Sequence, residues 1–162
     1  MYLKIKEKIM KKIASFTVDH TVLQKGMYIS RVDGDVVTYD IRMKKPNNND
    51  YLTPEQAHTI EHLFATYARN SEFSDNVIYV GPMGCQTGFY LVVRDAVSHK
   101  DAIKLTKDSM NFIKDYEGQI PGYSAVECGN YLLHDLNGAK KVAEDMMSVL
   151  ENYTVPQLNY TK

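Results

Sequence analysis

"PEQAHTIEHLFATYARN", residues 54–70, holds two histidines four apart with a glutamate directly before the second. Thr53, Pro54 and Gln56 open a helix here: a capping threonine, a proline whose missing N–H costs nothing in the first turn, and a glutamine placed to complete a capping box. At about 100° per residue, His58, Glu61 and His62 project to one side and Ile60, Leu63, Phe64 and Tyr67 to the other. The apolar stripe is expected to dock on a sheet, leaving the His/Glu/His face outward. A pair of histidines on such a face is usually just solvated. The glutamate changes that reading, because H-x-x-E-H is the pattern in which two imidazoles bind a metal and the carboxylate moves protons. Ala57, Ala65 and Ala68 are small enough to let another segment approach.

Strand-like segments surround this helix. "MYISRV" (27–32) and "DVVTYDIRM" (35–43) flank Asp33-Gly34, which reads as a hairpin turn, and "KKPNNND" (44–50) is a polar loop. "NVIYVG" (76–81) and "GFYLVVR" (88–94) are two more strands, joined by a glycine-bearing turn. Ser98 is expected to cap a helix reaching about Tyr116, and "YSAVEC" (123–128) to form a further strand. A last helix from about Ala139 to Tyr153 carries Ala139, Val142, Ala143, Met146 and Leu150 on one face. The Lys-rich stretch Tyr2–Ala14 is either a short amphipathic helix or a frayed leader, and the leader is the preferred reading. The pattern predicts an α+β fold, an antiparallel sheet packed against α-helices. Residues 14–162 form one domain after an N-terminal extension over 1–13.

The 162 residues are 44% hydrophobic and 24% charged, with a formal net charge of −1. That balance gives no electrostatic case for nucleic acid as a partner. No apolar run approaches the ~20 residues of a membrane span. Without an export signal, the two cysteines, Cys85 and Cys128, read as thiols of a cytoplasmic protein.

Cys128 offers a soft third ligand to His58 and His62. Two imidazoles and a thiolate leave a tetrahedral ion one open position, which a catalytic site needs. The set suits zinc or ferrous iron, and Glu61, beside that position, is the natural proton carrier. Cys85 sits between Gly84 and Gly88 in "GPMGCQTGFYL" (81–91). It is a nucleophile or acid/base group if a cation lies nearby, or else a buried structural cysteine or half of a Cys85–Cys128 disulfide.

Five stretches in order, "SFTVDH" (15–20), "YDIRMKKPN" (39–47), "HTIEH" (58–62), "GPMGCQTGFYL" (81–91) and "ECGNYLLHDL" (127–136), resemble the S-ribosylhomocysteine lyase (LuxS) family. The resemblance spans about Ser15 to Leu150. It implies a homodimer with active sites at the subunit interface. It also implies one divalent metal per subunit, Fe2+ natively with Zn2+ or Co2+ as alternatives, held by His58, His62 and Cys128. The implied reaction splits S-ribosyl-L-homocysteine into L-homocysteine and 4,5-dihydroxy-2,3-pentanedione, the precursor of the quorum-sensing signal autoinducer-2, within the activated methyl cycle. Cys85 and Glu61 are then the acid/base pair, and Ser15, His20 and Arg42 bind substrate. Two positions depart from the family pattern: Tyr79 stands where an aspartate is common, and Lys44 where a cysteine is expected. Two rival readings remain at this level, an inverted zinc peptidase and a structural metal site in a binding module.

Overall fold

The computed structural model describes residues 11–161 of the chain. Of the Lys-rich leader, residues 2–10 lie outside the described residues. Lys11, Lys12 and Ile13 are exposed and irregular, leading into a single 3-10 turn at Ala14–Phe16.

Four strands, β1 (Gly26–Asp33), β2 (Val36–Arg42), β3 (Val77–Pro82) and β4 (Gly88–Arg94), form one antiparallel sheet in the order β1-β2-β4-β3. The β1–β2 hairpin turns one residue later than its sequence signal, since Asp33 pairs with Val36 and leaves Gly34 and Asp35 in the turn. Gly34 has φ +61, a left-handed conformation that glycine adopts without a Cβ penalty. Three helices, α1 (Pro54–Asn70), α2 (His99–Lys114) and α3 (Leu136–Leu150), pack together against one face of the sheet. The predicted α+β architecture is the observed one.

Strand periodicity assigns the two faces. Tyr39 and Ile41 on β2 pair with Leu91 and Phe89 on β4, and all four are fully buried toward the helices. Their neighbours Asp40, Arg42 and Tyr90 point to the opposite face. α1 begins where its sequence signals place it, with both halves of the Thr53/Gln56 capping box formed. Its Ile60, Leu63 and Phe64 enter the core, as expected, while Tyr67 packs only at the margin. α2 is capped by Ser98.

Two sequence expectations fail. α3 starts at Leu136 rather than near Ala139, because the Asp135 side chain accepts from the Gly138 N–H and caps an earlier turn. It also stops at Leu150, freeing Tyr153 to bond to β1. The expected strand at Tyr123–Cys128 is absent: the segment from Glu117 to Asp135 runs as bends and turns. The Glu127 and Cys128 N–H groups turn back to the Ser124 carbonyl instead of joining a ladder, and Gly122 just before has φ +75, which no regular strand accommodates. Among the described residues, no helix is long and apolar enough to cross a membrane.

The Phe64 and Phe89 rings lie 6.4 Å apart and join α1 to the sheet. Phe64→Ala removes a fully buried aromatic, so the urea unfolding midpoint is expected to fall with an unchanged m-value, by the equivalent of about 3–5 kcal/mol.

Candidate metal centre and thiol pocket

α1 places His58 and His62 one turn apart, their rings 4.4 Å centroid to centroid. Sequence alone pointed this face outward, with a metal preferred to a merely solvated surface. The structure covers it: the irregular 117–135 segment folds over the two histidines, and His58, Glu61 and His62 are all half-buried. His58 Nδ1 lies 2.7 Å from the Leu133 carbonyl and His62 Nδ1 lies 2.7 Å from the Pro121 carbonyl. A carbonyl can only accept, so each Nδ1 carries its proton. The tautomer is thereby fixed, and each Nε2 lone pair is free to bind a metal.

Cys128 Sγ lies 3.4 Å from His58 Nε2, and one ligand atom from each of His58, His62 and Cys128 falls within 4.8 Å of the others. This donor set, with both imidazoles oriented by carbonyl acceptors, fits a divalent ion with a position left open. Packing here is tight: a Cβ at Gly122 would sit 3.1 Å from His62 Nδ1, and the backbone has φ +75, so glycine passes the imidazole with the least strain.

His134, not singled out from sequence, completes the shell. Its ring stacks on His58 at 4.3 Å and 14°. Thr59 donates its hydroxyl proton to the Glu55 carbonyl, so the same oxygen accepts from the Asp135 N–H at 2.9 Å and from His134 Nδ1 at 3.0 Å. Burial, together with the neighbouring His58 and His62, pulls the His134 imidazole down to about 4, so the ring is neutral near pH 7. Its Nε2 is buried and has no hydrogen-bond partner among the described residues.

Cys85 belongs to a second place. Residues Met83–Gln86 close a turn through Gln86 N–H to the Met83 carbonyl at 3.0 Å, with Gln86 at φ 63. A non-glycine residue in that region carries strain, and such strain gathers at functional turns. The Cys85 thiol is exposed and unpaired, which disposes of both the buried-cysteine and the disulfide alternatives. Gly88 serves the sheet and not a ligand, since a Cβ there would strike the Ile41 carbonyl on β2.

Around this thiol lies a cavity of about 470 Å³ on the helix-free face of the sheet, reached by Ser15, His20, Arg42, Cys85 and Tyr160. Arg42 and Asp40, 3% and 2% exposed, form a two-pronged ion pair. Nε reaches Oδ1 at 3.0 Å and Nη2 reaches Oδ2 at 2.6 Å. The remaining Nη1 donates to Thr87 Oγ1 at 2.6 Å and lies 3.7 Å from Cys85 Sγ. Thr87 Oγ1 and Cys85 Sγ are themselves 3.0 Å apart. One guanidinium nitrogen thus faces the sulfur, where it can meet an oxygen of a bound group.

The sequence candidates therefore fall into two groups. His58, His62 and Cys128 gather beside the 117–135 segment, with Glu61 half-buried next to His62 in the chain but outside their cluster, whereas Ser15, His20, Arg42 and Cys85 share the thiol cavity. None of the first group lines that cavity. Of the two departures, Lys44 pairs with Asp50 at 2.9 Å. Tyr79 is exposed and lays its ring over Gly81.

Comparison with known proteins adds the family. The sequence pattern of S-ribosylhomocysteinase (LuxS) matches residues 13–155. A protein of Phocaeicola vulgatus named S-ribosylhomocysteine lyase is 47% identical over 157 residues, covering 93% of this chain and 98% of its own. Relatives of the same name from Desulfotalea psychrophila and Clostridium acetobutylicum are 46% and 44% identical, each over 93% of this chain and 99% of theirs.

Metal-free protein titrated with Zn2+ or Co2+ is expected to take up one ion per chain. Cys128→Ala, which deletes a proposed ligand, should weaken that uptake by more than about 100-fold, beyond the usual effect of an outer-shell partner. Calorimetry, or the visible d–d spectrum of the cobalt form, reads the difference.

Proposed function

Because the chain belongs to the S-ribosylhomocysteinase (LuxS) family, we propose that its two groups of side chains are the two halves of one lyase site. The protein is an S-ribosylhomocysteine lyase, releasing L-homocysteine and 4,5-dihydroxy-2,3-pentanedione. The observation that carries the residue assignment is the His58, His62, Cys128 cluster with both Nδ1 protons already committed to carbonyls.

The substrate's sulfur is a poor leaving group on an unactivated sugar carbon. Two proton shifts first move the carbonyl from C1 to C2 and then to C3. Removal of the C4 proton, now acidified by the C3 carbonyl, then expels the C5 sulfur as homocysteine, and the remaining enol tautomerises to the dione. Each step takes one proton from carbon, and each isomerisation returns one to the neighbouring carbon. Cys85 and Glu61 are the proton carriers in this reading, and Arg42, Ser15 and His20 hold substrate oxygens. Arg42 is well made for that task, since Asp40 already fixes the plane of its fork. A divalent ion held by His58, His62 and Cys128 supplies Lewis acidity to a sugar that is being enolised. Ferrous iron is the proposed native ion, with Zn2+ or Co2+ as substitutes. A peptidase would have no use for Cys85.

A second copy of the chain is the partner that joins the halves. Two features support it: the thiol cavity includes none of the proposed metal ligands, and large apolar side chains beside both halves are exposed. Phe16 on the cavity is 69% exposed, and Val126 and Leu132 around Cys128 are 97% and 65% exposed. The working form is thus proposed as a cytoplasmic homodimer, each subunit one domain over residues 14–162.

Cys85→Ala and Glu61→Gln are each expected to keep the metal and the fold but lose at least about 100-fold in homocysteine release, read with a free-thiol reagent. Prolonged chelation should abolish the wild-type signal, and added metal should restore it. Full activity in either variant would sink the acid/base assignment. Mixing Cys85→Ala subunits with His58→Ala subunits tests the shared site: after exchange, about a quarter of wild-type activity should return, because half the dimers carry one intact site of two. No recovery despite demonstrated exchange would place both halves within a single chain.

A further inference from the structure

The C-terminal tail, beyond the segment that the family pattern covers, delivers a phenol to the thiol cavity. Tyr153 starts the path: its hydroxyl donates to the Met27 carbonyl at 2.8 Å and accepts from the Met27 N–H at 2.9 Å. A capped 3-10 turn, Val155–Leu158, follows, and Leu158 is fully buried. Two residues on, the Tyr160 ring stacks on Tyr28 at 4.9 Å and 12°. Its hydroxyl donates to Asp40 Oδ2 at 2.7 Å.

We propose that Tyr160 is a positioning residue for Cys85, acting through Asp40 and Arg42. The chain of contacts is continuous. Tyr160 satisfies one oxygen of the carboxylate, that carboxylate holds Nε and Nη2 of Arg42, and this orientation aims Nη1 at Thr87 and the Cys85 sulfur. The tail is pinned at Tyr153 and Leu158, so the phenol is presented to Asp40 in one pose.

Without the hydroxyl, a carboxylate almost wholly shut off from water keeps an unmatched lone pair. It recovers a donor by drawing the guanidinium toward itself, which swings Nη1 away from the sulfur, or by admitting water, which loosens the single pose in which the fork is held. Burial first, and the Asp40 charge next, raise the Tyr160 phenol well above its ordinary value, so it stays a proton donor throughout the neutral range.

This inference rests on the proposed role of Cys85, and its test separates the two. Tyr160→Phe keeps the ring on Tyr28 and deletes only the hydroxyl. In metal-loaded full-length protein at fixed pH, the rate of Cys85 alkylation by iodoacetamide, followed on the Cys85 peptide by mass spectrometry, should fall about ten-fold, the scale of one charge-assisted hydrogen bond. The kcat for homocysteine release should fall comparably, with KM changed less than about two-fold and the protein still folding cooperatively, its midpoint lowered only by the cost of one unmatched buried acceptor. Deleting residues 160–162 should reproduce the alkylation loss. An unchanged alkylation rate in both variants would overturn the proposal, as would a change confined to KM. If wild-type protein releases no homocysteine, the lyase assignment of Cys85 fails, yet the alkylation comparison still decides the role of Tyr160.

Discussion

Two hydrogen bonds, from His58 Nδ1 to the Leu133 carbonyl and from His62 Nδ1 to the Pro121 carbonyl, carry a disproportionate share of this molecule. They join a regular helix to a segment that has no regular structure. The segment's carbonyls gain donors, and the helix gains oriented imidazoles. Thr59 adds the second seam, receiving the Asp135 N–H while His134 stacks on His58. With the segment fastened this way, Cys128 arrives within reach of His58 Nε2 and of the His62 ring, and Asp135 is placed to start α3. One set of contacts thus serves folding and metal affinity together, and a metal bound there would stabilise the native arrangement in turn.

The opposite face of the sheet follows another logic. A buried ion pair contributes little to net stability once desolvation is counted, and leaving one partner unmatched costs far more. What the Asp40–Arg42 pair supplies is geometry: strand alternation puts the two side by side, and the two-pronged contact leaves one guanidinium nitrogen for the thiol turn. That turn is itself strained at Gln86, held by the Leu52 N–H on the Gln86 carbonyl at 2.8 Å and by the ladder of β4. Rigid strands position the chemistry, and the exposed loop presents it.

Much of this was readable before folding. The capping box, the 3.6-residue apolar stripe and the H-x-x-E-H pattern define α1 and its polar face, because each depends only on neighbours within a turn or two. Alternation in "DVVTYDIRM" and "GFYLVVR" gave two adjacent strands. The failures share a cause. Tyr123–Cys128 has strand composition, but its backbone closes on itself, the Glu127 and Cys128 N–H groups both reaching the Ser124 carbonyl rather than another strand. α3 begins early because of an aspartate side chain whose position the Thr59 seam fixes. His134 lay within a quoted stretch without a role, since a ring stacking across 76 positions of chain leaves no local pattern. Asp40 and Arg42, two apart on a strand, carried a signal that same-face spacing would have disclosed.

Sequence by itself named a candidate donor set, the helix that bears two of its members, the four strands of the sheet and the family, since these follow from residue type, short-range periodicity and ordered motifs. Tertiary structure alone decided that the histidine face is covered, that the nitrogens facing the Cys128 sulfur are the unprotonated ones, and that the thiol shares its cavity with Arg42 rather than with the cluster. It alone brought Tyr160 across 120 positions to Asp40. The reason is physical: protonation, burial and distance belong to groups that the chain brings together only after it has closed around its core, and no local pattern records who the neighbours will be.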